Sequence, residues 1–168
     1  MVGPGRHTNE QRETATGEPS NSRRLSVATL LSSLVPTSLA RRAIAVSVET
    51  DREVYDRGEP VEITVEFKNR LPVAVDVPTP RRRRWGWSVD GELEATDERR
   101  YVRSKPSTFT FRGGERKRVS VTWSGRFERT DDRHEFVLPE AGTHEIRAFV
   151  ATDPNGSQPS DVTTIRIE

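Results

Sequence analysis

Ile44, Val46 and Val48, then Asp56-Arg57-Gly58-Glu59-Pro60, then Val61, Ile63, Val65 and Phe67 alternating with Glu62, Thr64, Glu66 and Lys68, make up the stretch that decides the fold. The apolar positions recur every second residue, which is the repeat of a β-strand with one face in a core and the other in water. Strands of that kind belong to antiparallel sheets, whereas the buried strands of parallel sheets read as continuous apolar runs. Between the two stripes, Asp56-Arg57-Gly58 supplies a residue able to take positive φ and so turn the chain. The two stripes are expected as strands Ile44 to Thr50 and Val61 to Asn69; the pattern recurs downstream, and strands are expected at Trp85 to Val89, Thr108 to Arg112, Lys117 to Ser124, His144 to Ala151 and Val162 to Ile167. Leu71 to Val77 reads as an edge strand because Pro72 has no N–H to give to a ladder. Asp90-Gly91 is a hairpin signal, Gly113-Gly114 a reversal, and Asp153-Pro154-Asn155-Gly156 a tight turn. Strands at this spacing, with no helix-length pattern after Ala43 and no internal repeat, predict an all-β, immunoglobulin-like antiparallel β-sandwich over residues 43–168.

Working outward, the first 22 residues are mostly Gly, Pro, Thr, Glu, Asn and Ser, with little to bury against the entropy of ordering, and are expected to be a disordered tail. Residues 23–42 predict a short amphipathic helix, with Val27, Leu30, Leu31, Leu34 and Val35 at helical spacing until Pro36 interrupts. The alternative reading is an export signal of twin-arginine type: Arg23-Arg24, an apolar stretch, and Ser38-Leu39-Ala40 as a small-x-small cleavage site. A membrane span is disfavoured, because the run is shorter than the ~20 residues needed and carries several Ser and Thr.

Composition bounds the function. The 168 residues hold 27 Lys and Arg against 26 Asp and Glu, so no net field draws the chain to nucleic acid or to an anionic membrane. Cysteine is absent, which removes disulfides, thiolate metal sites and cysteine nucleophiles together. No Gly-x-Ser-x-Gly elbow, phosphate-cradling glycine loop or zinc-protease histidine pair occurs, and many carboxylates alternate along strands on the solvent face; an enzyme is not expected, nor any cofactor.

Val48-Glu49-Thr50-Asp51, Tyr55, Gly58-Glu59-Pro60-Val61 and Val65-Glu66-Phe67-Lys68-Asn69 resemble the opening of the BsuPI-like intracellular proteinase inhibitor family. The likeness continues through Trp85-Gly86-Trp87, Phe111-Arg112-Gly113-Gly114-Glu115 with Val119, Val121 and Trp123, and Leu138-Pro139-Glu140-Ala141-Gly142, and extends to relatives in halophilic archaea. The resemblance implies an immunoglobulin-like sandwich that binds and blocks an intracellular protease, and assigns no inhibitory residue. Where the family tends to carry Tyr after the penultimate loop, this chain has His144, expected to keep only part of a corner tyrosine's hydrogen bonding.

Four candidate sites follow. Sandwich function usually resides in end loops, so the polar connection Ser124 to Phe136 is the expected protein-contact surface, with Arg126, Asp131, Asp132, Arg133 and His134 as its residues. Arg81, Arg82, Arg83 and Arg84, followed by Trp85 and Trp87, form the alternative, a nucleic-acid contact in which guanidinium groups meet phosphates and indoles stack on bases. Against it, Trp85, Trp87 and Val89 share one strand face, as core residues do, and Asp90, Glu92, Glu94, Asp97 and Glu98 stand ready to answer the arginines. Asp131, Asp132, His134 and His144 suggest a metal site, and Asp153, Asn155, Ser157 and Asp161 a calcium loop, but neither has diagnostic spacing, and no metal is expected. The expected function is a noncatalytic, cytoplasmic, protein-binding module whose partner is a protease if the resemblance carries over; an exported structural domain is the further alternative.

Overall fold

A computed structural model describes residues 35–96, 105–130, 134–153 and 156–168. Among these residues a helix α1 (Thr37–Ala43) is followed by twelve strands: β1 (Ile44–Thr50), β2 (Val54–Tyr55), β3 (Val61–Asn69), β4 (Val75–Thr79), β5 (Trp85–Val89), β6 (Glu92–Thr96), β7 (Ser107–Phe111), β8 (Arg116–Trp123), β9 (Phe127–Thr130), β10 (His134–Val137), β11 (Gly142–Val150) and β12 (Ser160–Ile167). One sheet has the order β1-β3-β8 and the other β2-β12-β11-β5-β6, with β4-β7 and β9-β10 as separate pairs. All pairings are antiparallel except the short β2–β12 contact. The chain is therefore an immunoglobulin-like β-sandwich, as the period-two stripes require.

The core lies where those stripes meet. Val61, Ile63, Val65 and Phe67 of β3 are fully buried, as are Ile146, Ala148 and Val150 of β11 in the other layer. Aromatic rings fill the space between: Phe67 meets Trp85 edge-on at 5.6 Å and Phe109 at 5.4 Å, and Phe109 lies 4.4 Å from Phe111. These are favourable geometries for ring quadrupoles. In β5 burial runs continuously from Gly86 to Val89, because the Phe149 ring covers the outer side of Gly86.

Several local features differ from the sequence expectation or add to it. Pro36 opens a helix where the periodicity had it closing one: α1 starts at Thr37, because a proline's fixed φ and missing N–H suit a helix start and not its interior. Residues 23–34 of the expected helix, and the expected tail, lie outside the described residues. Ala40 and Ala43 pack inward from α1, so the small-x-small triplet Ser38-Leu39-Ala40 is part of a helix whose Ala40 is in the core. Strand β4 begins after Pro72 and contains Pro78, which an isolated two-stranded ribbon tolerates because one edge needs no donor. Ser124 to Phe136 is not a plain connection but holds the β9–β10 hairpin, whose polar composition hid it. Finally, β2 and β6 were not expected as strands; Asp90-Gly91 does join β5 to β6, with φ of 49° and 83° at its two residues, the type I′ hairpin turn.

Candidate functional site

One end of the sandwich is assembled from turns that the sequence marks clearly. At its base, Tyr55 is buried and its hydroxyl donates to Asp51 Oδ1 at 2.7 Å while accepting from the Arg52 amide at 2.9 Å. Asp51 Oδ1 also accepts from the Glu62 amide at 3.1 Å, tying the loop after β1 to β3. Arg52 bridges to Glu59 Oε1 at 2.5 Å and lies over the Tyr55 ring, and Glu59 Oε2 takes the Asp56 amide at 3.0 Å. The Tyr55 hydroxyl holds the Asp51 carboxyl below the ordinary aspartate range, and Arg52 does the same for Glu59. Burial pushes Tyr55 up. Asp51, Tyr55 and Glu59, which are among the residues of the family resemblance, thus form with Arg52 a structural clasp of charge-assisted hydrogen bonds around one buried ring.

That clasp supports the segment leading out of β10. Arg57 Nε donates to the Pro139 carbonyl at 2.7 Å, and the Leu138 side chain lies against Gly58, where a β-carbon would come within 2.9 Å of it. Gly125, at φ +69°, sits so close to the Glu59 carbonyl that a β-carbon there would lie 2.3 Å from it. Only glycine combines that conformation with that approach. His144, buried at the start of β11, holds the same segment from the other side: Nε2 lies 2.8 Å from the Glu140 carbonyl and Nδ1 2.6 Å from Asp90 Oδ2. Each ring nitrogen therefore lies within hydrogen-bond distance of an oxygen acceptor.

From this base the β9–β10 hairpin extends. Phe127 is buried, its ring 5.4 Å from Trp123, whose indole N–H donates to the Arg126 carbonyl at 3.2 Å. Phe136, in contrast, is 63% exposed and Leu138 40%. Of the expected contact residues, Arg126 is exposed at the foot of the hairpin and His134 opens β10 opposite Thr130. Asp131, Asp132 and Arg133 lie outside the described residues. Phe136 ends the expected Ser124 to Phe136 span but was not among the residues named in it; the signal for its exposure is that Phe136-Val137-Leu138 are consecutive apolar residues, and in an extended chain successive side chains cannot share one face.

The other candidates come apart. Arg81 to Arg84 form the connection between β4 and β5, with Arg81, Arg82 and Arg84 exposed, but Trp87 is buried and Trp85 packs on the core, so neither indole is offered to a base. Asp90 does not answer these arginines; its oxygens are taken by His144 and by the Glu145 amide at 2.9 Å. Asp97 and Glu98 lie outside the described residues. His144 is likewise unavailable to Asp131 and Asp132 as a metal ligand, and among the described residues no cluster of three or more His, Asp or Glu is placed to hold a metal ion. Asp161 accepts the Val48 amide at 3.0 Å and so joins β12 to β1, which is a structural use for a residue of the expected calcium loop; Asn155 lies outside the described residues. A polar groove of about 550 Å³ runs between β1 and β12 past Glu49, Thr50, Glu53 and Arg166, without the enclosing apolar walls of a small-molecule site. Among the described residues no helix is long and apolar enough to cross a membrane.

Residues 32–168 match the sequence model of a family of unknown function, DUF7974. No curated protein matches the chain. Among solved structures, a β-glucosidase from Listeria innocua is similar at 15% identity over 74% of this chain and 16% of that one, with a TM-score of 0.46. A CARDB domain from Pyrococcus furiosus is similar at 14% identity over 74% of this chain and 87% of that one, with a TM-score of 0.45. Spo0M, a sporulation control protein from Bacillus subtilis, is similar at 19% identity over 75% of this chain and 49% of that one, with a TM-score of 0.46.

Proposed function

The chain belongs to the family of unknown function DUF7974, and from its own residues we propose that it is a noncatalytic protein-binding module that presents the β9–β10 hairpin, centred on Phe136, to a protein partner. The observation that carries this reading is the exposure of Phe136, 63%, on a hairpin whose other aromatic, Phe127, is packed against Trp123. A solvent-facing aromatic held by a rigid base is the kind of anchor that interfaces use, since little side-chain freedom is lost when it is covered. Desolvating the remainder of one phenylalanine supplies about 1–2 kcal/mol, roughly a tenfold gain in affinity.

The polar groups nearby support binding over catalysis. Both nitrogens of His144 face oxygens of the fold itself, and Asp51 and Glu59 are held below their ordinary ranges by structural partners, so these groups are engaged in holding shape. The resemblance to the BsuPI-like family makes a protease the partner class to try first.

Affinity capture with the full chain tests the reading, comparing the wild type with Phe136→Asp and with a variant carrying Gln at positions 81–84. A partner retained by the wild type and the Gln variant but lost by Phe136→Asp is the expected result. An identical captured set for all three removes the hairpin from the interface. For the inhibitor version, titration of intracellular serine proteases should abolish activity near equimolar ratio; full activity at every excess rejects it.

A further inference from the structure

The near-cancellation of charge in the chain conceals a division between the two ends of the sandwich. At one end lie α1, the turn after β3, the β4–β5 connection, the β7–β8 turn and the β11–β12 connection. Pairing and hydrogen bonds bring these together: Ile44 pairs with Asn69, the Arg70 amide donates to the Ala43 carbonyl at 2.9 Å, the Gly114 amide to Leu71 at 2.8 Å, and the Ala151 amide to Arg84 at 2.9 Å. Arg41 of α1 reaches across to the β11–β12 connection, where its Nη1 lies against Gly156. These segments hold Arg41, Arg42, Arg70, Arg112 and the run Arg81 to Arg84, eight guanidinium groups against the two carboxylates of Glu115 and Asp153. Glu115 is engaged by Lys117 at 3.0 Å and by the Arg112 amide at 2.6 Å, whereas Arg42, Arg70, Arg81, Arg82, Arg84 and Arg112 are exposed.

The opposite end lies about 20 Å away along β1. Among the described residues it carries the reverse sign. Residues 51–60 contribute four carboxylates, and Asp90, Glu140 and Glu168 three more, against Arg52, Arg57 and Arg126. The Arg57 amide on the Glu168 carbonyl at 3.2 Å and the Asp90 amide on the Glu145 carbonyl at 2.9 Å gather these segments. The β9–β10 hairpin rises from this acidic end, since Gly125 lies against Glu59 and Arg57 holds Pro139. A molecule so divided turns its basic end to a negative surface even though its net charge is near zero.

We propose that the basic end docks the chain on an anionic lipid surface and leaves the β9–β10 hairpin facing away from it. Two observations select lipid among polyanions. The chain enters the sandwich at this end through Val35 and α1, and the sequence just before, which lies outside the described residues, reads Arg23-Arg24 and then Val27, Leu30, Leu31 and Leu34 at helical spacing. Apolar residues so spaced beside arginines are the composition of a segment that lies in a lipid headgroup layer, and Leu39 of α1, 46% exposed, adds an apolar side chain at the same end. Single-stranded nucleic acid, by contrast, is held on aromatic faces beside the cations, and Trp85 and Trp87 are packed into the sandwich. The docking does not depend on the hairpin being a binding surface.

Sedimentation of the full chain with vesicles tests the proposal. Partition onto phosphatidylcholine vesicles holding about 30% phosphatidylglycerol should exceed partition onto phosphatidylcholine alone by about tenfold or more at low salt, and should fall as salt shortens the Debye length. Arg82→Gln should weaken binding to the anionic vesicles about fivefold, and Arg81→Gln with Arg82→Gln about thirtyfold. Arg166→Gln removes the same charge from the acidic end and should change it less than about twofold. All three side chains are exposed, and unchanged melting temperatures verify that the variants fold. Equal partition onto the two kinds of vesicle, equal losses for Arg82→Gln and Arg166→Gln, or an oligonucleotide that strips the chain from the vesicles at equal phosphate concentration overturns the proposal. No protein partner enters this assay, so its failure and that of the hairpin reading are distinct.

Discussion

Truncating the two aromatics of the β9–β10 hairpin should have unequal consequences, and the inequality tests the arrangement on which the functional reading depends. Phe127 is 8% exposed and its ring lies 5.4 Å from Trp123 at 54°. Phe127→Ala forfeits about 1.5–3 kcal/mol of transfer free energy for a buried phenylalanine, and the lost aromatic pair adds about 0.5–1.5 kcal/mol. A total of about 3 kcal/mol follows, near the lower end for phenylalanine truncations in cores. Phe136, with 63% of its surface in water, has only about a third of that transfer term to lose, so Phe136→Ala should cost less than about 1 kcal/mol. Urea unfolding followed by tryptophan fluorescence separates the two. With a slope of about 2 kcal/mol/M, Phe127→Ala moves the midpoint down by about 1.5 M and Phe136→Ala by less than about 0.5 M, at unchanged slope. If Phe136→Ala lowers the midpoint as far as Phe127→Ala does, Phe136 is part of the core and is not an anchor awaiting a partner.

Acid should weaken the fold through three carboxyls. Asp51, Glu59 and Glu115 are held below their ordinary ranges, chiefly by the Tyr55 hydroxyl, by Arg52 and by the Arg112 amide respectively. A lowered folded-state value means a contribution present above the unfolded value and lost as pH falls through the folded one, so the melting temperature should drop below about pH 4. Tyr55→Phe removes the largest influence on Asp51 and should shrink that acid-induced drop; an acid limb superimposable on the wild type's would show that the hydroxyl does not act there. On α1, Ala40→Glu should destabilise by several kcal/mol because it drives a carboxylate into the core, while Leu39→Glu, on a side chain 46% exposed, should stay within about 0.5 kcal/mol. Equal melting temperatures for the two variants would place α1 off the sandwich.

How far the sequence could be read depended on how local the determining physics was. Ile44 to Thr50, Val61 to Asn69 and Trp85 to Val89 are the strands expected, to the residue, because alternation and flanking turn residues are properties of neighbours along the chain. The same local logic placed Trp87 and Val89 together in the core, and set a type I′ turn at Asp90-Gly91. It failed at β9 and β10, where arginine, glutamate and threonine fill a ribbon stabilised by pairing and by Phe127 on Trp123, and at β2, too short to carry a period. For the candidate site, polarity marked the Ser124 to Phe136 span and named Arg126 and His134 within it, while Phe136 at its end went unnamed because polarity was the criterion.

What the amino-acid order determined by itself was the class of fold and the positions of its main strands, since a one-residue slip of a two-residue repeat would turn every buried side chain outward. Tertiary structure alone decided what the polar residues do. Asp90 is 54 positions from His144 and Arg57 is 82 from Pro139, yet each pair is in hydrogen-bond contact. No periodicity encodes such pairs, because their partners are chosen by how two sheets stack and which turns meet at one end. The exposure of Phe136 and the closure of the clasp beneath it are consequences of that stacking.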